Sequence, residues 1–337
     1  MKLAVVTPVF NDWESFSSLL ADLRVPGAEI TEIAVVAVDD GSSTPPHVDH
    51  SLAKSLDHLS SVDIVRLPCN LGHQRAIAVG LSYVADKMKC DSVIVMDADG
   101  EDVPSDIPRL IKEAAKHPDK IVVAQRNKRR ETALFRLFYV FYKILFRMLT
   151  GRAISFGNYS LIPYNLVSRL VSLSSLWNNM PATIIRSRIP MTLLDTDRGT
   201  RYHGSSKMNL VALVLHGLSS IAVFVDVVAV RILLGCFLLV SASMVGFGAI
   251  WMSQVSFGAD LPGWLGIMAL SLAVIFTQTL VTSIFVIFLV LNSKTGPTVI
   301  PRIHYVDFLY EINRVHPSDD SRNDASSADA SQAESSK

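Results

Sequence analysis

Residues 93–104 read VIVMDADGEDVP. A run of apolar residues stops at Asp97, and the six positions 97–102 then hold four carboxylates: Asp97, Asp99, Glu101 and Asp102. An apolar run without polar alternation is the mark of a strand covered on both faces, as in a parallel sheet. Residues 3–6, 33–38, 64–67 and 121–124 are short β-branched apolar runs of the same kind. Helix-like segments at 13–24, about 48–59, 73–86 and 105–117 fall between them. Strands alternating with helices predict parallel βαβ units in an α/β fold. Ligands of such sheets gather beyond the carboxyl ends of the strands, so residues 8–12, 39–43 and 97–102 are expected on one rim.

The chain has 337 residues with 31 Lys and Arg against 31 Asp and Glu. That balance argues against a nucleic-acid partner, which calls for a basic face. Cys69, Cys90 and Cys236 have no CxxC spacing and read as reduced thiols rather than a zinc site or a disulfide framework. The N-terminal MKLAVVTPVF has too short an apolar run for a signal peptide, which leaves the first part expected in the cytosol.

The apolar excess lies in the second part of the chain. Residues 232–251 carry no charge, and residues 265–291 are interrupted only by uncharged polar residues. A bilayer core takes about 20 apolar residues, so both read as transmembrane helices within 231–292. The link between them lacks Lys and Arg, whereas Arg231, Lys294 and Arg302 flank the outer ends. The positive-inside rule then puts both ends in the cytoplasm. Residues 209–230 contain His216 and Asp226 and read as an amphipathic juxtamembrane helix. In 131–150, Arg136, Lys143 and Arg147 share one side and apolar residues cover the rest, the pattern of a helix in a membrane interface. A core helix with three solvated charges is the bland alternative. Residues 1–208 are thus expected to form the cytosolic catalytic domain, with 293–317 a cytosolic segment and 318–337 a disordered polar tail.

Crowded carboxylates repel one another unless a cation sits among them. Oxygen ligands select hard ions such as Mg2+ or Mn2+, which commonly bridge to phosphates and act as Lewis acids toward a departing diphosphate. For Asp102 and Asp106 a plain helix-start role is favoured. Taken alone, DAD is a weak signal.

Four stretches in order, VVTPVFND, VDDGSST, NLGHQRAIAVGL and MDADGED, together with RGTRYHGSSK, make the signal specific. In these the sequence resembles family-2 glycosyltransferases of the GT-A fold, and within them the polyprenyl-phosphate branch that includes dolichyl-phosphate mannose synthase. The resemblance implies a Rossmann-like, mostly parallel sheet followed by interface helices and two transmembrane helices. It implies nucleotide contacts at Pro8, Phe10 and Asp12, and a base and ribose site at Val38 and Asp40. It implies diphosphate and metal binding at Asp97, Ala98 and Asp99, with Glu101 beside the metal. Arg126, Arg201 and Lys207 are implied as phosphate-binding and catalytic cations, Arg suiting bidentate contacts and Lys a point charge. The implied partners are a nucleotide-diphosphate sugar, a polyprenyl-phosphate acceptor and a membrane, that of a bacterial inner membrane; a homo-oligomer stays open.

The sequence also departs from that pattern. Ser155 and Asn158, in ISFGNYSL, stand where the family carries acids, and Met208 replaces an aromatic residue. A phosphate acceptor, with a second pKa of about 6, is already largely anionic, whereas a sugar hydroxyl depends more on a base. A transferase acting on a glycan or glycolipid hydroxyl, and a catalytically silent nucleotide-sugar-binding scaffold, are the alternatives. QxxRW is absent, which disfavours a processive synthase. His73 and Arg75 open the third helix beside the rim, where a phosphate contact and a surface role are equally open; His216, alone on an apolar segment, reads as structural.

Overall fold

The computed structural model describes residues 1–24, 30–44, 56–126, 133–204, 210–257, 263–295 and 298–316. Lys207, most of the helix expected at 48–59 and the tail 318–337 lie outside the described residues.

Eight strands form one sheet in the order β7-β5-β6-β4-β1-β2-β3-β8. They are β1 (Lys2–Val9), β2 (Glu32–Asp39), β3 (Ser61–Arg66), β4 (Ser92–Val95), β5 (Ile121–Arg126), β6 (Ser160–Pro163), β7 (Met191–Thr196) and β8 (Glu311–His316). The centre is parallel: β1 pairs with β2 and β4, and β2 with β3. β6 runs antiparallel between β4 and β5, β5 and β7 pair in parallel, and β8 closes the far edge antiparallel to β3.

Successive β1 side chains point to opposite faces, so Ala4 and Val6 enter one core and Leu3 and Val5 the other. Helices α1 (Trp13–Asp22) and α3 (Ile107–Lys116) cover one face through Phe16, Leu19, Leu20, Ile107 and Leu110. The other face is covered by α2 (His73–Lys87), α5 (Tyr164–Val171) and α6 (Met180–Ser187). Helix α3 is strongly amphipathic and α2 is buried along most of its length; each follows its strand's carboxyl end, which sets the rim loops.

By its contacts the chain divides into two compact units. The first comprises residues 1–137, 154–223 and 299–337; the second comprises 138–153 and 224–298. Residues 311–316, within the expected cytosolic segment 293–317, return to the first unit as β8. Arg314 donates to both oxygens of buried Asp63, at 2.7 and 3.1 Å, and Tyr83 Oη donates to the same carboxylate. The segment expected as one helix over 209–230 is broken near residue 223, giving α7 (Leu210–Ala222) in the first unit.

The second unit holds most of α4 (Ala133–Thr150) with α8 (Val225–Phe257) and α9 (Gly263–Thr295). Val225–Ser253 and Trp264–Asn292 are long and apolar enough to cross a membrane. Arg231 donates to the Met148 carbonyl at 2.7 Å, satisfying a last-turn acceptor of α4. On α4, Val140, Phe141, Ile144 and Met148 are exposed.

Candidate functional site

The rim loops after β1, β2 and β4 carry the expected residues, and a fourth loop, after β7, meets them. The chain must turn back from β4 within a few residues. Gly100, at φ +86, makes that turn, and a Cβ there would lie 2.8 Å from the Tyr202 ring and 2.9 Å from the Thr200 carbonyl. At Gly199 a Cβ would lie 2.2 Å from the Gly100 carbonyl. Two backbone hydrogen bonds close the contact: Gly199 N–H to the Glu101 carbonyl and Tyr202 N–H to the Asp99 carbonyl, both 3.0 Å. The basic loop is thus laid directly on the acidic one.

Across that contact the side chains interlock. Arg201 Nη2 lies 2.6 Å from Asp99 Oδ2, and its Nε donates to Glu101 Oε1 at 3.0 Å. Arg198 Nη2 donates to the same oxygen at 2.6 Å. Arg126, at the end of β5, donates to Glu101 Oε2 at 3.2 Å and to Asp102 Oδ1 at 2.7 Å. Asp102, 2% exposed, also accepts the Asp97 backbone N–H at 2.9 Å. Glu101, expected beside a metal, is therefore the hub of three guanidinium groups. Burial alone would raise its pKa; the hydrogen bond and charge of Arg198, with Arg126 and Arg201, hold it below the usual carboxylate range.

Asp97 is in the opposite position. Its carboxylate has no hydrogen-bond partner among the described residues. Burial, then the charges of Asp102 and Asp99, push its pKa up to about 8 despite Arg126. Asp99 is also raised, chiefly by burial. Two hard oxygen donors beside a surplus of negative charge suit a divalent cation. Among the described residues, however, no three His, Cys, Asp or Glu side chains converge as a ready ligand set, and Glu101 is taken up by arginines.

The residues expected on the nucleotide side divide by what they expose. Phe10 is 41% exposed, presenting a ring at the rim, and Pro8 and Asp12 are half-buried. Val38 and Ala98 bury their side chains in the two cores. Asp40 is 3% exposed and accepts the N–H groups of Leu71 at 2.7 Å and Gly72 at 3.0 Å. Burial pushes its pKa up to about 6, against those hydrogen bonds. Asp40 thus holds the β3–α2 loop. Asn11 ties the first two loops together: its N–H donates to Ser42 Oγ and its Oδ1 accepts the Ser43 N–H, both at 2.9 Å.

Sequence reasoning missed Arg198, which stands three residues before Arg201 in a basic stretch where spacing did not single it out. It also missed a cavity of about 360 Å3 at the ends of β2 and β3, lined by Gly41, Ser42, Arg66, Leu67, Pro68 and Tyr310. Tyr310 comes from the residue before β8 and no local signal connects it to the rim.

Residues 4–164 match the family model for glycosyl transferase family 2. An undecaprenyl-phosphate 4-deoxy-4-formamido-L-arabinose transferase of Serratia proteamaculans is 35% identical over 136 residues, and the match covers only 40% of this chain and 40% of that relative's length. An uncharacterized glycosyltransferase of Synechocystis sp. is 25% identical over 278 residues, covering 80% of this chain and 83% of that one. Glucosyl-3-phosphoglycerate synthase from Mycobacterium tuberculosis, solved with Mn2+ and UDP-glucose, covers 67% of this chain and 78% of its own at 15% identity and a TM-score of 0.46. The match to glycosyl transferase family 2 spans residues 4–164, just under half of the chain, and takes in β1 to β6 and the acidic loop.

Proposed function

We propose that the chain is an inverting glycosyltransferase that moves a sugar from a nucleoside-diphosphate donor to a polyprenyl phosphate at a membrane. The observation that carries this reading is the direct seating of the Arg198–Tyr202 loop on the Asp97–Asp102 loop, with Arg126 reaching into the same cluster. A diphosphate is a dense, dispersed anion. Guanidinium forks held in advance stabilise charge as it develops on such a leaving group, without reorganisation at the moment of reaction.

Asp97 and Asp99 are the residues that would hold Mg2+ or Mn2+, and the ion when bound supplies Lewis acidity toward the departing diphosphate. Glu101 keeps Arg198, Arg201 and Arg126 aimed. Phe10 offers a stacking surface to the nucleotide base, and Asp40 keeps the loop beside it in shape. In the transfer, an acceptor phosphate oxygen forms a bond to the anomeric carbon as the bond from that carbon to the diphosphate oxygen breaks on the opposite face. The electron pair leaves with the nucleoside diphosphate. A phosphate monoester is already mostly ionised near neutral pH, so the reaction runs without a general base, in keeping with Asn158 in place of an acid.

Membrane residence rests on the two long apolar helices, and a cytoplasmic catalytic domain on the charges at their outer ends. The Serratia relative is named for transfer involving undecaprenyl phosphate, which supports the acceptor class and suggests a bacterial inner membrane. Membranes containing the chain, given labelled nucleotide sugars and a divalent ion, should yield an acid-labile lipid-linked sugar, and Asp99→Asn should abolish it. Product on a glycan hydroxyl alone would overturn the acceptor; full activity of the variant would overturn the diphosphate site.

A further inference from the structure

A second polar cluster on the same rim takes no part in the acid–arginine network. The antiparallel register of β4 and β6 ends at Val95 and Ser160, so Asn158, just before β6, and Asp97, just after β4, lie at the same end of the two strands. Asn158 Oδ1 accepts from Gln74 Nε2 at 2.9 Å. Gln74 is 6% exposed, and its Oε1 accepts the Met180 backbone N–H at 2.7 Å. A backbone N–H can only donate, so this bond fixes which end of the amide is oxygen and which is nitrogen. The second hydrogen of that nitrogen points to His73 Nε2, 3.0 Å away. His73 Nε2 is therefore an acceptor, and the ring is neutral with its proton on Nδ1. Burial, then the nearby His216, push its pKa down to about 4, in agreement with a neutral ring.

The His216 ring lies against it, with centroids 5.2 Å apart and planes 30° apart. Burial lowers the pKa of His216 as well. Among the described residues, His73 Nδ1 and both ring nitrogens of His216 have no hydrogen-bond partner. Two half-buried imidazoles with uncommitted N–H groups, beside a sugar-transfer rim, are a site for oxyanions. Asn158 matters here: it accepts from Gln74 as an aspartate would, without adding another negative charge at the strand ends that carry Asp97.

His216 sits on α7, whose other side exposes Val211, Val214, Leu215 and Leu218 at 65, 52, 58 and 54%. That i, i+3, i+4, i+7 spacing is one helix face. Three residues after α7 the chain enters α8, the first helix able to cross a bilayer. An apolar face this large, continuous in sequence with a span, suits burial in a lipid surface.

We propose that His73 and His216 form the pocket for the acceptor's phosphate monoester, with α7 lying in the lipid surface so that the occupant is a prenyl phosphate. This rests on the transfer reaction proposed above and adds the residues that receive its acceptor. His73 donates Nδ1–H to one phosphate oxygen and His216 donates to another. Gln74 and Asn158 are positioning residues that fix the His73 tautomer.

The test uses the full chain in detergent with farnesyl phosphate and glycerol 3-phosphate as probes. Farnesyl phosphate should raise the melting temperature of the unmodified protein, and His73→Phe and His216→Phe should each abolish that shift. In turnover both variants should raise the acceptor KM by about tenfold or more, the loss of a hydrogen bond to a charged group, and leave the donor KM within about twofold. His73→Asn, whose amide nitrogen replaces Nδ1, should recover most of the acceptor affinity, a rescue that a purely structural role would not give. Unaltered farnesyl phosphate binding in both Phe variants, or equal rises in donor and acceptor KM, would overturn the pocket. Equal binding of glycerol 3-phosphate would overturn the lipid as its source. Histidine-dependent binding of farnesyl phosphate without transfer to it would instead uphold the pocket and sink the reaction.

Discussion

Glu101→Gln separates two roles for this side chain that the sequence could not. As the hub of Arg126, Arg198 and Arg201, Glu101 carries hydrogen bonds of 2.6, 3.0 and 3.2 Å at 9% exposure. The amide keeps the shape, loses the charge and turns an N–H group toward at least one guanidinium. Arg126 retains Asp102 and Arg201 retains Asp99, so the net loss is nearer one charged hydrogen bond than three. That is about 2–3 kcal/mol. For a unit of this size each kcal/mol is worth about 2–4 °C, giving a fall of about 5–10 °C. The assay is the apparent melting temperature of the metal-free, detergent-solubilised chain at a fixed scan rate, paired with donor KM and the activating concentration of Mg2+. The arginine-hub role predicts a lower melting temperature, a higher donor KM and an unchanged Mg2+ requirement. A metal-ligand role predicts the reverse, because removing one of four crowded carboxylates relieves repulsion in the empty site. A variant that melts at or above the parent temperature and needs more Mg2+ would refute the assignment of Glu101 to the arginines.

The acid loop also sets a pH dependence. Asp97 rises from an ordinary 3.8 to about 8 and Asp40 to about 6; a carboxyl raised on folding stabilises the fold while protonated, so its contribution is full below about pH 4 and fades as pH climbs through the raised values. Thermal melts without metal should show stability falling from pH 5 to pH 8, and added Mg2+ or Mn2+ should raise the melting temperature more at pH 8 than at pH 5; a flat or rising metal-free profile would contradict this. Arg314→Met leaves Asp63, 1% exposed, as a buried charge without its bidentate partner, which should cost about 3 kcal/mol, the low end for broken buried pairs because the arginine itself is partly exposed. Limited proteolysis should then cut the β8 segment first, and protection equal to the parent chain would show that the pairing does not hold the edge.

The sheet was legible because its central strands are local facts. Residues 3–6, 35–38, 64–65, 93–96 and 121–124 are buried on both faces, and burial on both faces writes itself as an unbroken apolar run. The outer strands are not of this kind. β7 alternates half-buried and exposed residues, with Leu193 43% exposed. β8 reads EINRVH, with two charged residues and an asparagine among its six, and owes its place to Asp63 on β3, some 250 positions away in sequence. Side-chain period and propensity describe how a segment meets its neighbours, not which distant segment the neighbour is, so the return of the chain to its own sheet after two long apolar helices left no local trace.

The candidate site divides along the same line. Asp97, Asp99, Arg126 and Arg201 could be picked out because each lies in a short motif beside a strand end. What each carboxylate does could not, since that depends on which arginine arrives opposite it. Glu101 and Asp97 are four residues apart with the same acidic chemistry, yet one is pulled down by three guanidinium groups and the other pushed up by burial and two acidic neighbours. The difference is made by a loop about 100 residues downstream that lies on Gly100 because no side chain there prevents it. His216 shows the converse: alone on an apolar helix it reads as structural filler, and only the placement of Gln74 and Asn158 gives its neighbour a fixed tautomer and the pair a direction. Motif order finds where a charge is needed, while the sign of the need at each atom is written in the contacts between loops.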